Sequence, residues 1–143
     1  MLKNIDPLLN ADLLQVLAAM GHGDDIALVD RNFPATANAR RLIRLDGADV
    51  VSVGRAVLSV FPLDSFVDHP VIRMQMVGKP DEVPAVQQDF QKVINAAEGR
   101  AWPMGSLERF AFYEATHQAF AVVATGESRP YGCFLLKKGV IFG

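Results

Sequence analysis

Residues 26–29, Ile-Ala-Leu-Val, place apolar side chains on successive positions, and in an extended strand successive side chains point to opposite faces. A strand that is apolar on both faces has to be covered on both, which is the environment of a sheet held between two helix layers. The stretch just before it reads as a helix. Leu13, Leu14, Leu17 and Ala18 recur at helical spacing after Asn10, a good N-cap residue, and the pattern stops at Gly21, which predicts a helix over 11–20. A helix, a glycine turn and a doubly covered strand in succession specify an α/β chain.

The rest of the chain continues that alternation. Residues 41–45 predict a strand; Val50, Val51, Val53, Val57, Leu58 and Phe61 recur at helical spacing until Pro62; residues 71–77 predict another strand. Over 83–97 a helix puts Val86, Phe90, Val93 and Ile94 on one face and halts before Gly99, residues 107–118 make one more helix, and 119–125 and 134–141 read as two late strands. The expected fold is a single α/β domain over 1–143, with a mixed or largely parallel sheet between helix layers. The chain's 143 residues, half of them apolar, are enough to bury a core as one domain. Gly78-Lys-Pro-Asp-Glu82 is the most loop-like stretch and is too short to separate two domains.

Charge and cysteine content exclude several function classes. Acidic residues outnumber basic ones, 16 to 14, and no cluster of lysines and arginines interleaved with aromatics offers a surface for nucleic acid. The opening Met-Leu-Lys-Asn-Ile-Asp-Pro lacks the profile of a signal peptide, and no apolar run is long enough to cross a bilayer, so a soluble, cytoplasmic protein is expected. A single cysteine, Cys133, cannot form an internal disulfide. His22, His69 and His117 lack metal-ligand spacing, so no metal site is expected. Gly21-His-Gly23 follows a helix and precedes a strand, the reverse of the order that aims a helix N-terminus at a dinucleotide.

What remains as candidate chemistry is His22, Asp30, the segment Leu107–Glu114 and Tyr131-Gly132-Cys133. His22 reads either as a helix-end histidine interacting with the helix dipole or as an acid/base group. Asp30 reads either as a turn residue or as a ligand-binding carboxylate, since ligands of open α/β sheets gather at strand carboxyl ends. Phe110 and Tyr113 share a face at spacing three and are expected in the core, which leaves Arg109 as the side chain with reach. Gly132 is expected to ease a close backbone approach at the entry to the last strand.

Taken together in this order, "MGHGDDIALVD" at 20–30, "NFPA" at 32–35, "RFAFYE" at 109–114, "AFAVVATGE" at 119–127 and "YGCFLLKKGV" at 131–140 resemble the L-fucose mutarotase family, a sister group of the D-ribose pyranases. The resemblance spans essentially the whole chain. It implies a cofactor-free sugar isomerase that interconverts the anomers of a reducing monosaccharide, most simply L-fucose, in a ring-shaped homo-oligomer, commonly a decamer. It also implies residue roles: His22 as the acid/base, with Asp30, Arg109, Tyr131, Gly132 and Cys133 holding the sugar. Many members carry asparagine where this chain has Cys133, and a thiol is the weaker hydrogen-bond partner. Pyranases tend to have histidine where Arg109 stands, which tilts the resemblance toward the fucose branch. D-ribose pyranase activity, or a non-catalytic sugar-binding role beside an uptake system, are the alternative readings.

Mutarotation suits these residue types, because histidine as a class can give and take a proton near neutral pH. Distance adds a constraint. An extended 26–30 segment spans roughly 16 Å, so His22 before it and Asp30 after it cannot meet merely by being close in sequence. Either the loop from Gly21 to Asp25 folds back over the strand, or a neighbouring subunit completes the site.

Overall fold

The computed structural model describes residues 1–143. Five helices, α1 (Ala11–Ala19), α2 (Ala35–Asn38), α3 (Val50–Leu58), α4 (Ala85–Glu98) and α5 (Arg109–Gln118), flank a sheet of six strands. The strands are β1 (Asp25–Val29), β2 (Leu42–Leu45), β3 (Val71–Met74), β4 (Gly105–Leu107), β5 (Ala121–Thr125) and β6 (Phe134–Lys137), in spatial order β2-β5-β1-β6-β3-β4. β1, β5 and β2 pair in parallel, β3 and β4 pair in parallel, and β6 runs against both β1 and β3. The sheet is therefore mixed, with β6 alone reversed. As a consequence, the amino end of β6 lies beside the carboxyl ends of β1 and β3.

The doubly apolar β1 is covered on both faces, as its sequence demands. Ile26 and Leu28 join Leu13 of α1, Val53 of α3 and Phe90 of α4 in one core, while Ala27 and Val29 join Ala35 of α2 and Phe112 of α5 in the other. On the first face Phe90 stacks on Phe134 with ring centroids 3.9 Å apart. Gly54 lets α3 approach that stack, because a Cβ at this position would collide with the Phe90 ring. No helix is long and apolar enough to cross a membrane.

Several boundaries differ from the sequence reading for identifiable reasons. α1 ends at Met20, which turns extended and buries its side chain, and the glycine stop is not used. Lys138 instead donates from Nζ to the carbonyls of Leu17 and Met20, 2.7 and 2.6 Å away, and so satisfies the carboxyl end of the helix from across the fold. α3 closes at Leu58, where the Ser59 N–H turns back to Arg55 and Ala56, and Phe61 is buried from the turn that follows. β3 stops at Met74, and β6 at Lys137. Residue 107 belongs to β4, and Glu108 caps α5 through its carboxylate, which accepts from the N–H groups of Phe110 and Ala111. β4 and α2, three and four residues long, are too short for periodicity to reveal.

Candidate active site

The reversed β6 brings Tyr131–Cys133, just ahead of it, to the carboxyl end of β1, where Asp30 stands. Met74 at the end of β3 and Arg109 at the start of α5 arrive at the same edge. Together with Asn32, Phe33, Val77, Tyr113 and Pro130 these residues line a cavity of about 270 Å³. A larger cavity of about 560 Å³ opens on the other side of Asp30, between Arg31, Arg44 and Gly126. The smaller one is the candidate site, because it gathers Asp30, Arg109, Tyr131 and Cys133 around one space.

Asp30 is nearly buried, and both its oxygens are engaged by the chain itself. Oδ1 accepts the Asn32 N–H at 3.0 Å and Oδ2 accepts the Cys133 thiol at 3.4 Å. Burial, with the neighbouring Asp30 carboxylate, pushes the Cys133 thiol well above its ordinary range, so it stays protonated and serves as a donor. Cys133 is thus spent on orienting Asp30. Arg109 donates from Nε to the Tyr113 hydroxyl at 3.0 Å, which leaves the outer edge of its guanidinium free. Tyr131 accepts the Val77 N–H on its hydroxyl at 3.2 Å, leaving its own O–H available to a ligand oxygen. Gly132 is buried behind the cavity wall, where a Cβ would press on Glu127 and Val86. That matches the close approach expected of it.

The loop carrying Tyr131 is itself anchored. Arg129 donates to the nearly buried Glu127 carboxylate at 3.1 and 3.2 Å and to Asp89 of α4 at 2.8 Å. Burial pushes the Glu127 carboxyl up, yet the bonds from Arg129 outweigh it and hold the group below the usual range.

One expectation fails on α5. Phe110 is 67% exposed and Tyr113 lines the cavity, whereas Phe112 fills the core. Spacing shows that positions 110 and 113 share a face, but not that the face is buried; here the core takes Phe112 and Thr116, four apart.

His22 is not at this cavity. The loop from Gly21 to Asp24 stays at the amino end of β1, pinned to the end of β6 by the Gly23 N–H to Lys138 carbonyl bond at 2.8 Å and the Lys138 N–H to Asp24 carbonyl bond at 2.9 Å. The five residues of β1 hold it about 16 Å from the Asp30 end. The loop does not fold back, which removes the first of the two ways to join them in one site. Nor does His22 serve the helix end. Its Nε2 lies 3.1 Å from Oδ1 of Asp64, and its ring sits 5.2 Å from Phe66.

Asp64 is a residue that sequence reading missed. Its side chain is only 4% exposed against 47% for His22, so the pair presents a histidine to solvent with a buried carboxylate behind it. Burial pushes the Asp64 carboxyl up, but the Phe66 N–H and His22 together outweigh that and hold it below the usual range. A carboxyl lowered in the folded state stabilises fully above its unfolded value, near 3.8, and loses that contribution as pH falls through the folded value. Asp64→Asn is therefore expected to lower the urea midpoint at pH 7 and to lower it progressively less as the pH falls below 3.8, and a loss that stays equal across that range would exclude the charge as the cause. No group of three or more His, Cys, Asp or Glu side chains converges anywhere in the fold to hold a metal.

Residues 3–141 match the model of the RbsD / FucU transport protein family. The chain belongs to this family. It is 41% identical to the L-fucose mutarotase of Histophilus somni over 140 residues, covering 98% of this chain and 97% of that one. The crystal structure of the fucose mutarotase of Streptococcus pneumoniae in complex with L-fucose is 38% identical, covers 99% of this chain and all of that one, and superposes with a TM-score of 0.92. Bacillus subtilis RbsD, solved with D-ribose, shares the fold at 24% identity and a TM-score of 0.73, over 99% of this chain.

Proposed function

We propose that the protein is a mutarotase that interconverts the anomers of L-fucose, in a site completed by a second copy of the chain. The observation that carries this reading is a division of parts. The carboxyl end of β1 holds a cavity that presents Asp30, Arg109 and Tyr131, with no histidine among its lining residues; the amino end holds an exposed histidine backed by a buried aspartate. Each half lacks what the other has. Each is also bordered by exposed apolar side chains, Phe110 and Val77 beside the cavity and Phe66 and Phe142 beside His22, as surfaces awaiting a partner are. The relatives' activity on fucose, and the solved relative with fucose bound, support the substrate.

The chemistry follows from those parts. The sugar sits in the cavity with its hydroxyls held by charge-assisted bonds to Asp30 and Arg109 and by the Tyr131 hydroxyl. The imidazole of His22 from the neighbouring copy removes the proton of the anomeric hydroxyl as the ring C–O bond breaks, and the ring oxygen takes its proton from solvent water, to which the imidazolium returns one. The open-chain aldehyde turns about its C1–C2 bond, the ring oxygen attacks the other face of the carbonyl, and the proton transfers run in reverse. One C–O bond breaks and re-forms with proton transfer and no net change of oxidation state, so the reaction calls for no redox cofactor. Asp64 holds the imidazole with one nitrogen turned inward and the other available to substrate.

Contacts that join two different faces head to tail repeat from copy to copy and close into a ring where the rotation between copies divides a full turn, which is the kind of assembly the ring-shaped oligomer implied by the resemblance needs. The test is direct. Catalytic amounts of the protein are expected to accelerate anomer exchange of L-fucose above that of D-ribose and other reducing sugars in saturation-transfer NMR. Saturable binding without faster exchange would defeat the mutarotase and leave a sugar-holding role.

A further inference from the structure

The face that α4 turns to the core is apolar, with one exception. Val86, Phe90, Val93 and Ile94 are joined there by Gln87, whose side chain is fully buried. A buried amide is costly unless its donors and acceptor are all met, and here they are. Nε2 donates to the Met74 carbonyl at 2.7 Å and to the Tyr131 carbonyl at 3.0 Å, and Oε1 accepts from the Arg73 guanidinium at 3.3 Å. Two carbonyls on one side and a cation on the other leave the amide only one orientation.

Arg73 is equally unusual. It is 9% exposed yet belongs to none of the fold's six ion pairs. It spends its other donors on the carbonyls of Pro80 at 3.1 Å and Glu82 at 3.5 Å, in the loop that follows Val77. That loop reaches back to the site, for the Val77 N–H is the donor to the Tyr131 hydroxyl. Tyr131 is thus held at both ends, its backbone carbonyl by Gln87 and its hydroxyl by a loop that Arg73 gathers. It also needs holding, since its φ of 65° is a left-handed conformation that costs a bulky residue energy unless the surroundings impose it.

We infer that Gln87 is a positioning residue for the reaction, acting with Arg73 to fix the backbone and hydroxyl of Tyr131 against the sugar. An apolar residue would fill the same space more cheaply, and it would leave the Met74 and Tyr131 carbonyls without donors. The inference rests on the mutarotase reading for its consequence in catalysis and on geometry alone for the clamp.

The two levels separate in one experiment. The chain has only two tyrosines, Tyr113 and Tyr131, so a protein labelled with 13C in its tyrosine rings gives a signal from each. Gln87→Met and Gln87→Glu, which keep the length of the side chain and remove its donors, are expected to shift or broaden the Tyr131 signal and spare that of Tyr113. They are also expected to lower kcat for L-fucose anomer exchange about tenfold with KM within about twofold, the mark of a misplaced group and not of a lost binding contact. Ile94→Val, on the same helix and away from the site, should lower the melting temperature and leave both readouts at wild type. If the Gln87 variants do not fold, Arg73→Lys, which keeps the charge and loses the fork, carries the same expectation. An unchanged Tyr131 signal and kcat beside an active wild type overturns the inference and leaves the mutarotase standing. A wild type that does not exchange fucose, with a Tyr131 signal that still follows Gln87, overturns the mutarotase and keeps the clamp.

Discussion

Replacing His22 with alanine is expected to cut the rate of L-fucose anomer exchange by about 10²–10⁴-fold, the usual contribution of one positioned acid/base group. Sugar affinity should stay within a few-fold of wild type, because Asp30, Arg109 and Tyr131 line a cavity at the other end of β1 that His22 does not enter. The fold should survive. The His22 side chain is half exposed and its contacts are the Asp64 carboxylate and the Phe66 ring, and Asp64 keeps its bond from the Phe66 N–H at 3.0 Å when the imidazole is gone. Saturation-transfer NMR gives the exchange rate and calorimetric titration with L-fucose gives the affinity. A variant that exchanges fucose at the wild-type rate would remove His22 from the mechanism, and one that loses affinity in proportion to rate would make it a binding residue.

Much of the fold was legible because burial on two faces leaves a mark in sequence. Ile26-Ala-Leu-Val29 announces a covered strand, and Val86, Phe90, Val93 and Ile94 ahead of Gly99 announce α4, which does end on that glycine in a left-handed conformation. The end of α1 leaves no such mark, because the group that satisfies it, Lys138, is far away in sequence and no local pattern reports it. The buried face of α5 is hidden for a different cause. It is weakly amphipathic and lies between a core and a cavity, so aromatic residues occur on both sides and spacing cannot say which side is inside.

The site divides in the same way. Asp30 could be placed at a ligand-binding edge from its position after an apolar strand alone, and the span of that strand already separated it from His22. Asp64 could not be found so. It is one aspartate among many until the bridge between Leu63 and Lys138 carries it across the sheet edge to His22, 42 positions away in sequence. Gln87 hides for a similar reason, since a polar residue inside an amphipathic helix reads as solvent-facing until the carbonyls of two other segments close around it.

The separation of His22 from Asp30 leads to the second large effect, which appears when two inactive proteins are combined. A chain carrying His22→Ala keeps an intact cavity, and a chain carrying both Asp30→Asn and Tyr131→Phe keeps an intact His22–Asp64 pair. Each alone should be nearly inactive. When they are unfolded together in equal amounts and refolded, random assembly pairs a native cavity with a native histidine in about a quarter of the sites, so activity should rise from near zero to about a quarter of wild type. Refolding each variant separately and mixing the assembled proteins should recover far less, because subunits would first have to exchange. A site contained in one chain predicts no recovery under either protocol, since neither polypeptide carries both halves. The geometry favours recovery: the Gly21–Asp24 loop is tied to β6 by two backbone bonds, and bringing His22 to its own Asp30 would mean breaking both and dragging the loop along the whole of β1. Supplying the histidine from a second copy would break nothing in the fold, and recovery of activity on co-refolding would make assembly a condition of catalysis.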